Sequence, residues 1–244
     1  MKPSILRTNA TPVYRFLSRI HAELSDGETL RDKRILDCGA GGRVPPLAIF
    51  AEQGMQTFGI DLSERQLDAA RAYTEKRKLE IGLQQADMRK IPFPNASFDY
   101  VYEHYSMCHL SKADTARAIA EMLRVLKAGG TAFFGVISSE SWPASSFGEE
   151  RTPGEHWMTE GGEETLHSIF SDAEADHLVS DWEITAKERA VIHTNAADIS
   201  EQAWADLHQE APVRCSAEAW TAQYERRANY FRYVHTYYYL RKTA

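Results

Sequence analysis

The run Ile35-Leu36-Asp37-Cys38 breaks off into Gly39-Ala40-Gly41-Gly42, and a helix-forming stretch opens at Pro45. An apolar strand that turns through glycines into a helix admits few folds. The glycines allow a tight reversal and bring backbone amides within reach of a ligand. The same unit then recurs. Pro45 to Gln53 reads as a helix closed by Gly54, Thr57 to Asp61 as a second strand, and Ser63 with Gln66 as a capping box for a helix to Lys78. Glu80 to Gln85 and Ser97 to Tyr102 give a third and fourth strand, with Pro92, Pro94 and Asn95 marking the loop between them. Ala113 to Lys127 places Ala116, Ile119, Ala120, Leu123 and Leu126 on one helical face. Gly129-Gly130 ends that helix, and Thr131 to Ile137 is an almost wholly apolar fifth strand. Strands this apolar, alternating with helices, imply a mostly parallel sheet covered on both faces.

Composition bounds the function. The 244 residues carry 28 Lys and Arg against 35 Asp and Glu, a net charge of −7. An acidic balance argues against a broad nucleic-acid surface. The three cysteines, Cys38, Cys108 and Cys215, form neither a metal motif nor a disulfide framework, which fits a reduced, cytoplasmic setting. Neither a secretory signal nor a membrane span is legible. The cluster His156, Glu160, Glu163, Glu164 and His167 lacks the spacing of a helical zinc motif, so no metal site is expected.

Asp61 closes the second strand about 20 positions past Gly39, where a carboxylate meets both ribose hydroxyls of a bound nucleoside. Dinucleotides and S-adenosylmethionine both use this arrangement. A dinucleotide loop needs a third glycine, but Val44 stands in that frame. Pro45-Pro46 also removes amide donors that a pyrophosphate would need. A sulfonium cofactor without phosphate loses little by either change.

From Ile35 to Ile137 the chain resembles the class I S-adenosylmethionine-dependent methyltransferases of small-molecule type. Leu36-Asp37-Cys38-Gly39-Ala40-Gly41 is similar to the first motif of that family. The resemblance implies that Asp37, Gly39, Ala40 and Gly41 surround the methionine part of the cofactor. It implies that Asp61 binds the ribose with Leu62 beside the adenine. Ala86-Asp87-Met88 resembles the adenine clamp, which gives Asp87 the exocyclic amine and Met88 the ring. Phe98 to Glu103 resembles the fourth motif and sets Glu103 and His104 near the sulfonium, while Val125 to Gly130 resembles the lead-in to the fifth strand. Arg43 departs from the pattern, standing where many members have a third glycine.

The expected fold is α/β, a doubly wound Rossmann-like sheet of seven mostly parallel strands, with the antiparallel last strand, Tyr230–Arg241, implied by the resemblance. Residues 1–244 read as one domain, with an N-terminal helix over 11–25, started by Thr11 and Pro12, and a lid or acceptor insertion over about 138–180. Within that insertion Ser138–Gly162 reads as a long loop, followed by short helices near Glu163–Phe170 and Asp172–Val179, then a strand over Trp182–Ile192. Two more helices are expected, from Asp198 to His208 and from Ser216 to Asn229. The activity implied is methyl transfer to an O, N or S atom of a small-molecule acceptor. Cyclisation or alkyl transfer by the same cofactor, and a nicotinamide-dependent oxidoreductase, are the alternatives. His104 and His109 follow the fourth strand and are candidate proton acceptors. Tyr14, Met107, Trp142 and Trp157, with the two histidines, are candidates for the acceptor pocket. Nine acidic residues against one basic between Glu149 and Asp176 read either as solvated surface or as a rim favouring cationic acceptors. The chain is expected to act as a monomer or homodimer, with no nucleic-acid or membrane partner.

Overall fold

The computed structural model describes residues 3–141, 147–160, 162–194 and 231–243. Five strands run side by side in parallel: β1 (Arg34–Cys38), β2 (Gln56–Asp61), β3 (Gly82–Gln85), β4 (Phe98–Tyr102) and β5 (Leu126–Ser138). β10 (Phe231–Arg241) lies antiparallel between β5 and β9 (Glu183–Thr194), giving the central order β3-β2-β1-β4-β5-β10-β9. These are the seven expected strands, with the antiparallel one inserted one place from the edge. Around them lie the helices α1 (Pro3–Ala22), α2 (Leu47–Glu52), α3 (Glu64–Arg77), α4 (Lys112–Val125) and α5 (Asp172–His177).

Adjacent residues in a strand point to opposite faces, and the core divides accordingly. Ile35, Tyr102, Phe133, Tyr237 and Tyr239 meet Val13, Phe16 and Ile20 of α1 and Phe50 of α2 on one face. Leu36, Val101, Phe134, Tyr238 and Leu240 meet Ala118, Ile119 and Met122 of α4 on the other. Phe16 is fully buried against the rings of Phe50, Tyr100, Tyr102 and Phe133. Truncating it to alanine would cost about 3–5 kcal/mol. Tyr237, Tyr238 and Tyr239 are therefore sheet and core residues.

The helix over 11–25 starts earlier than expected. Pro3, not Pro12, takes its first position, where a missing amide costs nothing, and Pro12 lies inside it. β5 likewise begins at Leu126 rather than Thr131; a register shift against β4 and the positive φ of 73° at Gly129 let the strand start before its glycines. The largest correction concerns 138–180. Where a loop and a short helix were expected, β6 (Glu149–Thr152), β7 (Glu155–Glu160) and β8 (Glu163–Phe170) form an antiparallel meander. Pro153-Gly154, with Gly154 at φ +74°, makes the first turn, and Gly162 at φ +90° the second. Leu166, Ile169 and Phe170 are buried as a strand because β8 continues the parallel sheet at Ile137 and Ser138 of β5. The expected helices over Asp198–His208 and Ser216–Asn229 lie outside the described residues.

The carboxylates of 149–176 are largely met by cations. Arg151 binds Glu149 and Glu164, Lys112 binds Glu174, Lys187 binds Asp176 and Arg189 binds Asp172. These partners offset five of the nine carboxylates in this stretch. Among the described residues, no group of three or more His, Cys, Asp and Glu is placed to hold a metal, and no helix is long and apolar enough to cross a membrane.

Candidate active site

The carboxyl ends of β1, β2 and β4 open on a cavity of about 690 Å³, of a size suited to a cofactor-sized ligand. The loop after β1 forms one side. Gly39 has φ +101°, and a Cβ there would collide with the Ser106 hydroxyl. The amides of Gly39 and Ala40 both donate to the Ile60 carbonyl, which pins the turn to the end of β2. Ala40 is fully buried and does not face the cavity. A Cβ at Gly41 would lie 2.6 Å from Asp61 Oδ2. Only glycine lets its amide donate to that oxygen, at 3.0 Å, while the Ser63 amide donates to Asp61 Oδ1 at 2.8 Å. The Asp61 carboxylate is thus held by two amides, with lone pairs left to accept from a ligand. Leu62, 55% exposed, and Met88 supply apolar wall beside it.

Asp87 is placed differently. Its carboxylate caps the turn Met88–Lys90, accepts from the Arg89 amide at 2.8 Å and is forked by the Arg89 guanidinium at 2.7–3.0 Å. That guanidinium holds its pKa below the ordinary value. Ala86 and Met88, not Asp87, line the cavity.

Two acids lie beneath the cavity floor. Asp37 is 1% exposed and Glu103 fully buried. Glu103 Oε1 accepts from the amides of Ser106 and Met107 at 2.8 and 2.7 Å, whereas Glu103 Oε2 and Asp37 Oδ2 have no hydrogen-bond partner. Burial pushes Glu103 up to about 7 against the pull of those amides. Burial, with Glu103 and Asp61 nearby, raises Asp37 well above the carboxylate range. Buried acids with open oxygens suit a neighbouring positive charge.

His104, Tyr105, Ser106 and His109 form the opposite side. His104 fits against Tyr237 because Gly135, opposite Tyr237 on β5, has no side chain; a Cβ there would lie 2.8 Å from the Tyr237 ring. The Tyr237 hydroxyl lies 3.4 Å from His104 Nε2, and burial lowers His104 to about 4, so it is neutral at pH 7. His109 Nδ1 lies 3.0 Å from the Leu166 carbonyl. A carbonyl can only accept, so Nδ1 carries the proton and, in the neutral ring, Nε2 keeps its lone pair.

The remaining candidates fall elsewhere. Tyr14 is 57% exposed on α1 and does not line the cavity. Met107 is a core residue, 1% exposed. Trp157 lies on β7 with Arg151 over its ring at 5.4 Å. Trp142 lies outside the described residues. Arg19 of α1 packs over Tyr239 at 4.5 Å. Sequence reasoning missed Tyr105, Ser106 and the cluster Tyr233, His235 and Tyr237. The period-two spacing of that last trio was the signal that puts them on one face of a strand.

The chain matches the model of the methyltransferase domain over residues 36–134. It is 30% identical to sterol 24-C-methyltransferase of Pneumocystis carinii over 176 residues, covering 69% of this chain and 43% of that protein. The chain spans less than half the length of the curated relatives it matches. Among solved structures, a SAM-dependent methyltransferase of Methanosarcina mazei superposes with a TM-score of 0.64 at 17% identity, covering 92% of this chain and 97% of that one. The [4+2]-cyclase SpnF superposes with a TM-score of 0.59 at 21% identity, covering 94% and 81%. Taken with the glycine loop and Asp61, these matches show that residues 36–134 carry a methyltransferase domain of the S-adenosylmethionine-dependent class I type.

Proposed function

We propose that this protein transfers a methyl group from S-adenosylmethionine to an oxygen atom of a small-molecule acceptor. The observation that carries this reading is the pairing, across one cavity, of the Asp61 carboxylate with an imidazole whose tautomer is set by a carbonyl. S-adenosylmethionine supplies a methyl group already activated by a sulfonium sulfur. Asp61 would accept from the ribose hydroxyls, and Leu62 and Met88 would flank the adenine. Gly39 and Gly41 leave room for the methionine part, with Asp37 and Glu103 below the positive sulfur. Asp87, tied to Arg89, would contribute through the position it gives Met88.

The chain's own task is alignment and proton transfer. As the acceptor oxygen takes up the methyl group the cofactor would supply, its hydroxyl proton would pass to Nε2 of His109, and from there to water. His104, neutral and buried, would orient the acceptor with the Tyr237 hydroxyl. A nitrogen or sulfur acceptor would need this base less. The [4+2]-cyclase among the fold's neighbours keeps a second reading in view, in which the same cavity serves a reaction other than methylation.

Calorimetric titration with S-adenosylmethionine, S-adenosylhomocysteine and the nicotinamide dinucleotides tests the reading at its base. The two adenosyl ligands should bind, and Asp61→Ala should weaken both about 10- to 100-fold, as expected for loss of hydrogen bonds to a charged group. Binding of a dinucleotide alone, or of neither class, overturns it. Product mass then separates methylation from rearrangement of an acceptor of unchanged mass.

A further inference from the structure

Behind Tyr105 lies a group of rings that the cofactor cavity does not use. His235 on β10 is 2% exposed, and neither of its ring nitrogens has a hydrogen-bond partner. The rings around it are His104, Tyr105, Tyr233 and Tyr237, with centroids 4.7–6.1 Å away. Leaving an imidazole buried and unsatisfied is costly, so packing alone is a poor account of it. Burial, with His104 beside it, holds His235 down to about 3, and it is a neutral donor and acceptor at pH 7.

Tyr105 closes this group from the cavity side. Its ring stacks on His235 at 5.5 Å with 4° between planes and meets His109 edge-on at 6.4 Å. Its hydroxyl accepts from that of Tyr233 at 2.9 Å. Yet Tyr105 is 44% exposed and has φ +71°, a left-handed conformation that a bulky residue holds only at a cost. The side chain thus sits in an aromatic slot, half-exposed, on a backbone conformation that a bulky residue seldom holds.

We propose that the Tyr105 ring is a stand-in for the acceptor: the slot between His235, Tyr233 and His109 holds the planar ring of a phenol, which enters as Tyr105 swings out. This rests on the methyltransferase reading and narrows it to an aromatic hydroxyl acceptor. The ring would stack on His235, and its hydroxyl would take the Tyr233 hydrogen bond now made by Tyr105. None of the rings facing His235 belongs to an acid, so an ammonium group would find no counter-charge there.

The probe is p-cresol, which is the tyrosine ring itself. Protein labelled with ¹⁵N in its histidines, loaded with S-adenosylhomocysteine or left without it, is titrated with p-cresol and with cyclohexylamine. The His235 ring nitrogens should shift with p-cresol and not with the amine. Tyr105→Gly, which removes the competing ring and tolerates the positive φ, should bind p-cresol about tenfold more tightly, and adding Tyr233→Phe to that variant should weaken the binding about tenfold. Unmoved His235 signals at saturating p-cresol in the wild-type protein overturn the slot, as does affinity in the Tyr105→Gly protein that is indifferent to Tyr233→Phe. Should Tyr105→Gly fail to fold, the wild-type titration decides alone. Failure of S-adenosylhomocysteine to bind overturns the cofactor reading instead, and the slot is then judged on the titration without it.

Discussion

The two sides of the cavity are built by different means. The cofactor side is backbone and short range: amides of the loop after β1 meet a carboxylate at the end of β2, and Gly39 and Gly41 are there because a Cβ would strike Ser106 or Asp61. The acceptor side is side chain and long range. His104 and Tyr105 after β4 meet Tyr233, His235 and Tyr237 of β10, about 130 positions later, and His109 meets the Leu166 carbonyl of β8. The first arrangement leaves no room for a side chain at Gly39 or Gly41. The second can exchange rings one at a time, which is how one scaffold serves many acceptors.

The largest expected effect separates the sides by rate against affinity. His109→Phe should lower kcat by about 10²–10⁴-fold, the range of a lost proton acceptor, while S-adenosylhomocysteine affinity stays within about twofold. A loss of cofactor affinity equal to the loss of rate would erase the distinction. Gly41→Ala should act the other way. Its Cβ must displace Asp61 or Gln66, and S-adenosylhomocysteine binding should weaken about 100-fold by calorimetry. Unchanged binding would mean that the loop does not touch the cofactor.

The smallest effect sharpens the boundary between the sides, where Glu103 lies. The unfolded chain releases this proton near the ordinary value of 4.5, whereas the folded protein holds it to about pH 7. Folding therefore takes up a proton between those values, and stability falls as pH rises through that window, on the order of 3 kcal/mol. Asp37, also raised, adds in the same direction. Urea midpoints measured from pH 4.5 to 7.5 should decline, and Glu103→Gln should flatten most of the slope. A rising curve that the variant leaves unaltered would show Glu103 ionised throughout.

The same contrast decides what could be read from the chain alone. β1 to β5 and the Gly39–Asp61 pairing were legible because each depends on a few neighbouring residues: an apolar run, a glycine, a capping Ser63. The sheet's insertion of β10 was available only through family resemblance, since nothing in Phe231–Arg241 states its partners. The meander β6–β8 was misread because its turn residues, Pro153-Gly154 and Gly162, also suit a plain loop, and because Glu163–Phe170 becomes a strand only through pairing with β7 and β5. Asp87 shows the limit of a motif. Its position fits the pattern, but Arg89, two residues on, claims its carboxylate. Tyr105 and His235 were invisible because their meeting is wholly tertiary.

The place of β10 also governs the order in which the molecule can be assembled. β5 emerges from the ribosome about 100 residues ahead of the strand that must lie beside it. Until Phe231–Arg241 arrives, β5 and β9 each present an open edge, and the apolar residues Phe133, Phe134, Val136 and Ile137 lie along one of them. Pairings that distant close slowly, and unpaired apolar edges invite association between chains. A chain cut before Phe231 should therefore aggregate rather than fold to a smaller domain, so the strand that carries the acceptor-side rings also acts as the keystone of the sheet.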